Sequence, residues 1–347
     1  MPGGHGKQGR VSFLLGAGAS KASQELVCEQ NENVPPVGRN LLESLAHFDD
    51  VWQNIQQQVH EDGTDETNFE LIMDQLARGR YDNALGRNWR NAAYATVALY
   101  FSRFQDIEGS MYDKLCAYLV GKQWTGTVVT LNYETLFLQA AIRNDLSFQN
   151  PRIQTRPGRN THDPYMSQRN QDSQGNRYLH YPHGASNLFE PGLYRSSALP
   201  GIQVNYAALL EQSRNSEHAI EVNQAAAQRL SQVPRLMASY DTEKTKPFPT
   251  QFLKAEQKAF ENHLEERTDD DVVIILGCRA PQGNAFDEHI WEPLRRTTAK
   301  LVYCSGTRQA AAFNRWQTSL RPNMDDVAHP FAIQQCMYEI LRAELGE

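Results

Sequence analysis

The sequence predicts an α/β fold, one parallel sheet flanked by helices, and three observations predict it. Four short apolar runs, at 11–15, 127–131, 272–276 and 300–304, each end in small or polar residues. The segments between them carry apolar residues at helical spacing. The chain has 347 residues, 40% hydrophobic and 22% charged, enough for one large or two modest domains. Buried strands alternating with helices build a parallel sheet, and such sheets bind ligands at the carboxyl ends of their strands.

The first run carries most weight. Val11–Leu15 (VSFLL) reads as a fully buried strand and Gly16-Ala17-Gly18-Ala19-Ser20 as the turn after it. Gly16 and Gly18 remove side-chain bulk, which lets backbone N–H groups approach a diphosphate, and a helix starting there adds its N-terminal dipole. A plain strand–helix connection uses the same residues, so this stretch alone does not choose. Two named nucleotide motifs are absent. The P-loop spacing is not present, and the dehydrogenase fingerprint fails because Lys21 takes the place of its third glycine and residues 25–36 are too polar for its second strand.

Further along, 34–38 reads as a sharp loop and Leu41 to Val59 as one amphipathic helix. Phe69 to Arg80, Asn88 to Phe104 and Met111 to Leu119 follow as helices, the middle one buried on most sides. Thr127–Leu131 is a β-branched strand that delivers Asn132-Tyr133-Glu134 to its carboxyl end, ahead of a helix from about Thr135. Asn132 there is either a ligand contact or a helix N-cap. Residues 148–177 are polar and aperiodic, a long surface insertion. Its arginines 152, 156, 159 and 169 fit a solvated loop better than a basic patch.

Tyr178–Asn187 brings His180 and His183. Their spacing permits a metal, but with no companion Cys or carboxylate cluster two exposed histidines are the simpler reading. Polar helices are expected over 207–230, a proline-punctuated connector over 231–249 and a helix over 252–264. Asp271–Leu276 is the clearest buried strand and ends in Gly277-Cys278; a helix over 284–296 carries Asp287, a strand over 299–304 ends in Ser305-Gly306, and 326–347 closes as a helix.

Charge and cysteines narrow the function. Net charge is -7, from 41 acidic and 34 basic residues, so direct nucleic-acid binding is not indicated. Five scattered cysteines with no Cys-x-x-Cys pair indicate neither a disulfide framework nor a thiolate zinc site, and a reducing cytoplasm is the simplest home. The apolar run at 11–15 is shorter than the ~7–15 residues of a signal peptide core. No stretch approaches the ~20 apolar residues of a membrane span.

In order and wording, Gly16-Ala17-Gly18-Ala19-Ser20, Thr130-Leu131-Asn132-Tyr133-Glu134, His183-Gly184-Ala185-Ser186-Asn187 and Leu276-Gly277-Cys278 with Asp287 resemble the SIR2-like (sirtuin-fold) domain. The variety most similar is the zinc-less NAD-consuming domain of bacterial antiphage defence systems. The resemblance implies a Rossmann-like sheet with a helical subdomain and no zinc ribbon, as one domain over 1–347 with helical insertions at about 40–122 and 190–265. It implies that Gly16, Ala17, Gly18 and Ser20 hold the NAD diphosphate, that Asn132 lies by the nicotinamide ribose, and that His183 is the general base. Gly277, Cys278 and Ser305 would sit by the adenosine half, with Glu134 and Asp287 completing the cofactor contacts. Two positions depart from the family: Glu134 stands where Asp is usual, and Cys278 where Tyr or Ser is commoner.

Without the two Cys-x-x-Cys pairs that hold zinc in deacylating sirtuins, the resemblance favours NAD+ hydrolysis to nicotinamide and ADP-ribose, with no metal. Alternatives are an ADP-ribosyltransferase or deacylase, and a module that binds NAD+ or ADP-ribose without cleaving it. An unregulated NAD+ hydrolase would kill its cell, so control through a homo-oligomer or a separate partner is expected. By resemblance that partner is a HerA-type ATPase or a short Argonaute.

Overall fold

The computed structural model describes residues 10–25, 27–28, 33–37, 40–48, 50–61, 69–77, 93–94, 96–98, 100–101, 103–149, 153–154, 177–189, 202–204, 235–237, 251–281, 287–329 and 333–345. Six strands form one sheet: β1 (Val11–Leu15), β2 (Gly126–Thr130), β4 (Arg177–His180), β8 (Val272–Leu276), β9 (Lys300–Cys304) and β10 (Val327–His329), in the order β10-β9-β8-β1-β2-β4. Every pairing in it is parallel. Counted by appearance within this sheet, the strands run 3-2-1-4-5-6 across it, the doubly wound order of dinucleotide-binding folds.

Side chains alternate across this sheet, so its central strands feed two cores. Val11, Phe13, Leu15, Val272, Ile274 and Leu276 join one, while Leu14, Val273 and Ile275 join the other. The first core is closed by helices α1 (Ala17–Glu25), α2 (Asn40–Phe48), α3 (Asp50–Glu61), α4 (Phe69–Ala77), α5 (Met111–Gly121), α6 (Leu136–Arg143) and α10 (Ile333–Leu345). The second is closed by α7 (Gln251–Glu265), α8 (Glu288–Arg296) and α9 (Thr307–Leu320). Burial on both faces explains why these strands read as continuous apolar runs. The polar residue in β1, Ser12, is matched by a hydrogen bond to His263 Nε2 of α7 at 3.0 Å.

Several expected elements differ. The single helix expected over 41–59 is two, α2 and α3, and Gln53 Nε2 of the second donates to the Ala46 carbonyl near the end of the first at 2.8 Å. The expected closing helix begins only at Ile333, because Val327–His329 pairs with β9 as an edge strand. Asp326 fixes that entry, accepting the Leu301 amide at 2.8 Å and the buried Arg321 guanidinium at 2.7 Å. The sequence reading passed over α9, although Phe313 and Trp316 show its helical spacing. Within 190–265, read as helical, the described residues include two short strands besides α7. These are β6 (Ile202–Val204) and β7 (Arg235–Met237), which join β3 (Ile153–Gln154) and β5 (Gly184–Phe189) in a second sheet of order β3-β6-β5-β7. The polar helices expected over 207–230, the four insertion arginines and residues 284–286 lie outside the described residues. Among the described residues no helix is long and apolar enough to cross a membrane.

The sheet reverses its winding between β1 and β8, and there the two strand-end turns lock together. Gly16 N–H donates to Leu276 O at 2.9 Å, and Gly18 N–H to Gly277 O at 3.0 Å. A Cβ on Gly16 would stand 2.7 Å from Gly277 O, and one on Gly277, whose φ is +64°, would stand 2.0 Å from Ala19 N. Gly277→Ala therefore combines a left-handed backbone cost of ~1–2 kcal/mol with an overpacking cost of ~1–3 kcal/mol. We expect its urea midpoint to fall by the equivalent of about 3 kcal/mol; an unchanged midpoint would show that the two turns are not interlocked.

Candidate functional site

The site residues gather where β1, β2 and β8 end. The turn after β1 starts α1, and its amides are largely spoken for: Gly16 and Gly18 bond to the β8 turn, and Ala19 N–H donates to Gly16 O at 2.8 Å. Among the described residues Ala17 N–H is the amide of this turn left to face a ligand, and Ala17 is exposed. The glycines thus have a packing reason of their own: they let two backbones touch.

Ser20, one turn along α1, is buried. Its hydroxyl donates to Glu134 Oε1, lies 2.9 Å from the Tyr112 hydroxyl, and receives Asn132 Nδ2 at 2.8 Å. Asn132 is held from three sides. Its backbone N–H donates to Thr130 Oγ1 at 3.2 Å, and Nδ2 also donates to the Gly16 carbonyl at 3.2 Å. With Nδ2 so committed, Oδ1 has no hydrogen-bond partner among the described residues, although Asn132 is only 5% exposed. A buried acceptor left unmatched costs ~1–3 kcal/mol, and native proteins leave few of them. Asn132 is not a helix cap; Thr135 is the N-cap residue of α6.

Glu134 serves α6 from inside the fold. Its second oxygen accepts the Leu136 N–H at 2.6 Å, so both oxygens have protein partners. Burial pushes its carboxyl up to about 7, and the bonds from Ser20 and Leu136 only partly offset that. Tyr112, in the helix expected over Met111 to Leu119, is pushed up by burial and then by the neighbouring Glu134 carboxylate.

His183 arrives on a tight turn. Gly184 N–H donates to Tyr181 O at 2.9 Å, with Pro182 supplying the fixed φ that suits the second position. One residue beyond Ala185, Ser186 N–H donates to Tyr133 O at 2.8 Å, tying this turn to the Asn132 loop. Both histidines here are buried rather than exposed, and they part company. His180 Nδ1 meets Glu256 Oε2 at 3.3 Å, whereas His183 Nε2 lies 3.0 Å from His289 Nε2 and 3.8 Å from Asp287 Oδ1. The metal-capable group in this region is thus His183 with Asp287 and His289, their ligand atoms all within 4.8 Å of one another.

The remaining predicted residues line the β8 and β9 ends. Cys278 is buried with Sγ 3.9 Å from Leu14 O, under the Gly16 turn; burial and then Asp287 hold its thiol well above the ordinary range. Gly277 N–H donates to Cys304 O at 2.9 Å, and Tyr303 hydroxyl donates to Cys278 O at 2.5 Å. Ser305 is buried at the end of β9, its N–H 3.4 Å from His329 O. The structure therefore brings Gly16, Ser20, Asn132 and Glu134 into one connected group and His183 and Asp287 into another, with Cys278 beside Asp287. Sequence reasoning missed Tyr112 and His289. His289 had one signal available, its place two residues after Asp287.

This is a Rossmann-like α/β sheet with polar groups gathered at its switch point. Compared with known proteins, the chain matches no protein-family model and no curated protein.

Glu134 yields a pH prediction. Its folded-state value, about 7, lies above the ordinary value of about 4.5. Its contribution to stability is therefore fully present below the lower value and is lost as pH rises through the higher. Urea midpoints of the wild type and Glu134→Gln should converge on, or cross, the variant's favour as pH rises from about 4.5 to 7. A difference that stays flat, or grows in the wild type's favour, would contradict the assignment.

Proposed function

We propose that this protein hydrolyses NAD+ at the nicotinamide–ribose bond, as the resemblance to zinc-less sirtuin-fold domains implies. The observation that carries the reading is the unmatched Asn132 Oδ1, buried beside a glycine turn at the sheet's switch point. An acceptor in that place suits a ribose hydroxyl or a water. The bond breaks through an oxocarbenium-like state: nicotinamide departs with the bonding pair, and water oxygen adds to the ribose carbon. Asn132 orients the ribose or the water, and His183 accepts the proton that the water gives up. Ala17 N–H at the start of α1 meets the diphosphate. Ser20, Tyr112 and Glu134 act one layer back, holding the Asn132 amide in its orientation. By the same resemblance the reaction depletes NAD+ in antiphage defence, in a cytoplasmic oligomer or under a separate partner.

One observation favours a second reading, a module that binds the nucleotide without cleaving it. His183 Nε2, the atom that would take the proton, already lies within hydrogen-bond distance of His289 Nε2. Nicotinamide release from NAD+ by the purified protein separates the two. Hydrolysis predicts ADP-ribose in equal yield and a loss of ~10²-fold or more in His183→Ala and Asn132→Ala. Full turnover in either variant would end the role given to that residue. NAD+ binding with no release would favour the module.

A further inference from the structure

The His183 side of the site has a geometry that the sequence reading, which expects no metal, does not contain. Two imidazole nitrogens and a carboxylate oxygen converge from segments about a hundred residues apart: His183 Nε2 and His289 Nε2 at 3.0 Å, and Asp287 Oδ1 at 3.8 Å from the first. Ligand atoms ~2.0–2.1 Å from a first-row metal stand about 3.0–3.4 Å apart across a right or tetrahedral angle. The histidine pair already meets that separation. Asp287 Oδ1, 3.8 Å from His183 Nε2, stands beyond it, and all three ligand atoms lie within 4.8 Å of one another, so closing on one ion takes a side-chain rotation.

The surroundings hold these groups in place. His183 is buried on a turn fixed by Pro182 and by the Gly184–Tyr181 hydrogen bond. Asp287 is the N-cap residue of α8, and His289 sits in that helix's first turn. Two histidines and one carboxylate leave coordination positions open, as in metal sites that bind an exchangeable water. Among the described residues no cysteine joins this group.

We infer that His183, Asp287 and His289 bind one divalent first-row transition metal through His183 Nε2, His289 Nε2 and Asp287 Oδ1. The inference stands apart from the hydrolase reading, because metal uptake is measured without NAD+. It also bears on that reading. A metal on His183 Nε2 occupies the lone pair that would accept the proton, so the metal-free protein is the form that hydrolyses NAD+ and metal uptake silences it.

The test strips the full-length protein with a chelator and titrates it with Zn2+ against a chromophoric competitor, and with Co2+ by visible absorption. The expected result is saturable uptake of one metal per chain. His289→Asn and Asp287→Asn should each bind at least ~10-fold more weakly, while His47→Ala, at an exposed histidine bonded to Glu43 O, should bind as the wild type does. Equal metal-free unfolding midpoints show that the variants remain folded. Absence of saturable uptake by the wild type overturns the inference whatever the variants do, and so does wild-type affinity in a folded His289→Asn protein.

Discussion

Backbone contact between the β1 and β8 turns is the constraint on which the rest of the edge depends. Two amide-to-carbonyl bonds and three missing Cβ atoms bring those strands' ends together, and the contact fixes the Gly16 carbonyl. That carbonyl accepts from Asn132 Nδ2, and Oδ1 is left without a donor among the described residues. Ser20, Tyr112 and Glu134 then hold the same amide from below. A local packing necessity thus becomes an oriented, unmatched acceptor at the switch point of the sheet.

The polar layer behind the site is held together at a cost. Glu134 and Asp106 are both buried carboxyls, pushed up to about 7 and about 6. Asp106 is braced by Gln24 Nε2 at 3.1 Å, Ser110 Oγ at 2.6 Å and Arg143 at 2.7 Å, which ties α1, α5 and α6 together. Replacing such groups with apolar ones is often neutral or stabilising, whereas removing one partner alone is costly. Glu134 reaches the Asn132 amide through Ser20, and that link fits a role in rigidity at the site rather than in net stability.

Much of the fold was legible because the central strands are buried on both faces and must be apolar throughout. The edge strands were not. Arg177–His180 and Val327–His329 are only four and three residues long, too short to show a period, and pair with β2 and β9 through their register. The place of Asn132 just beyond a strand's carboxyl end was legible. Tyr112 was not, since its partner Ser20 lies 92 residues away, and His289 carried only its nearness to Asp287, with His183 106 residues away until folding joins them. The glycines were legible as a turn, but their reason, contact with Gly277 rather than with a ligand alone, depends on a strand some 260 residues later.

A crystal structure of the His183→Ala protein with NAD+ tests the central claim most directly. The account predicts the diphosphate against Ala17 N–H and the nicotinamide ribose within hydrogen-bond distance of Asn132 Oδ1. NAD+ bound away from the β1–β8 edge, or bound there with Asn132 Oδ1 still unmatched, would contradict it.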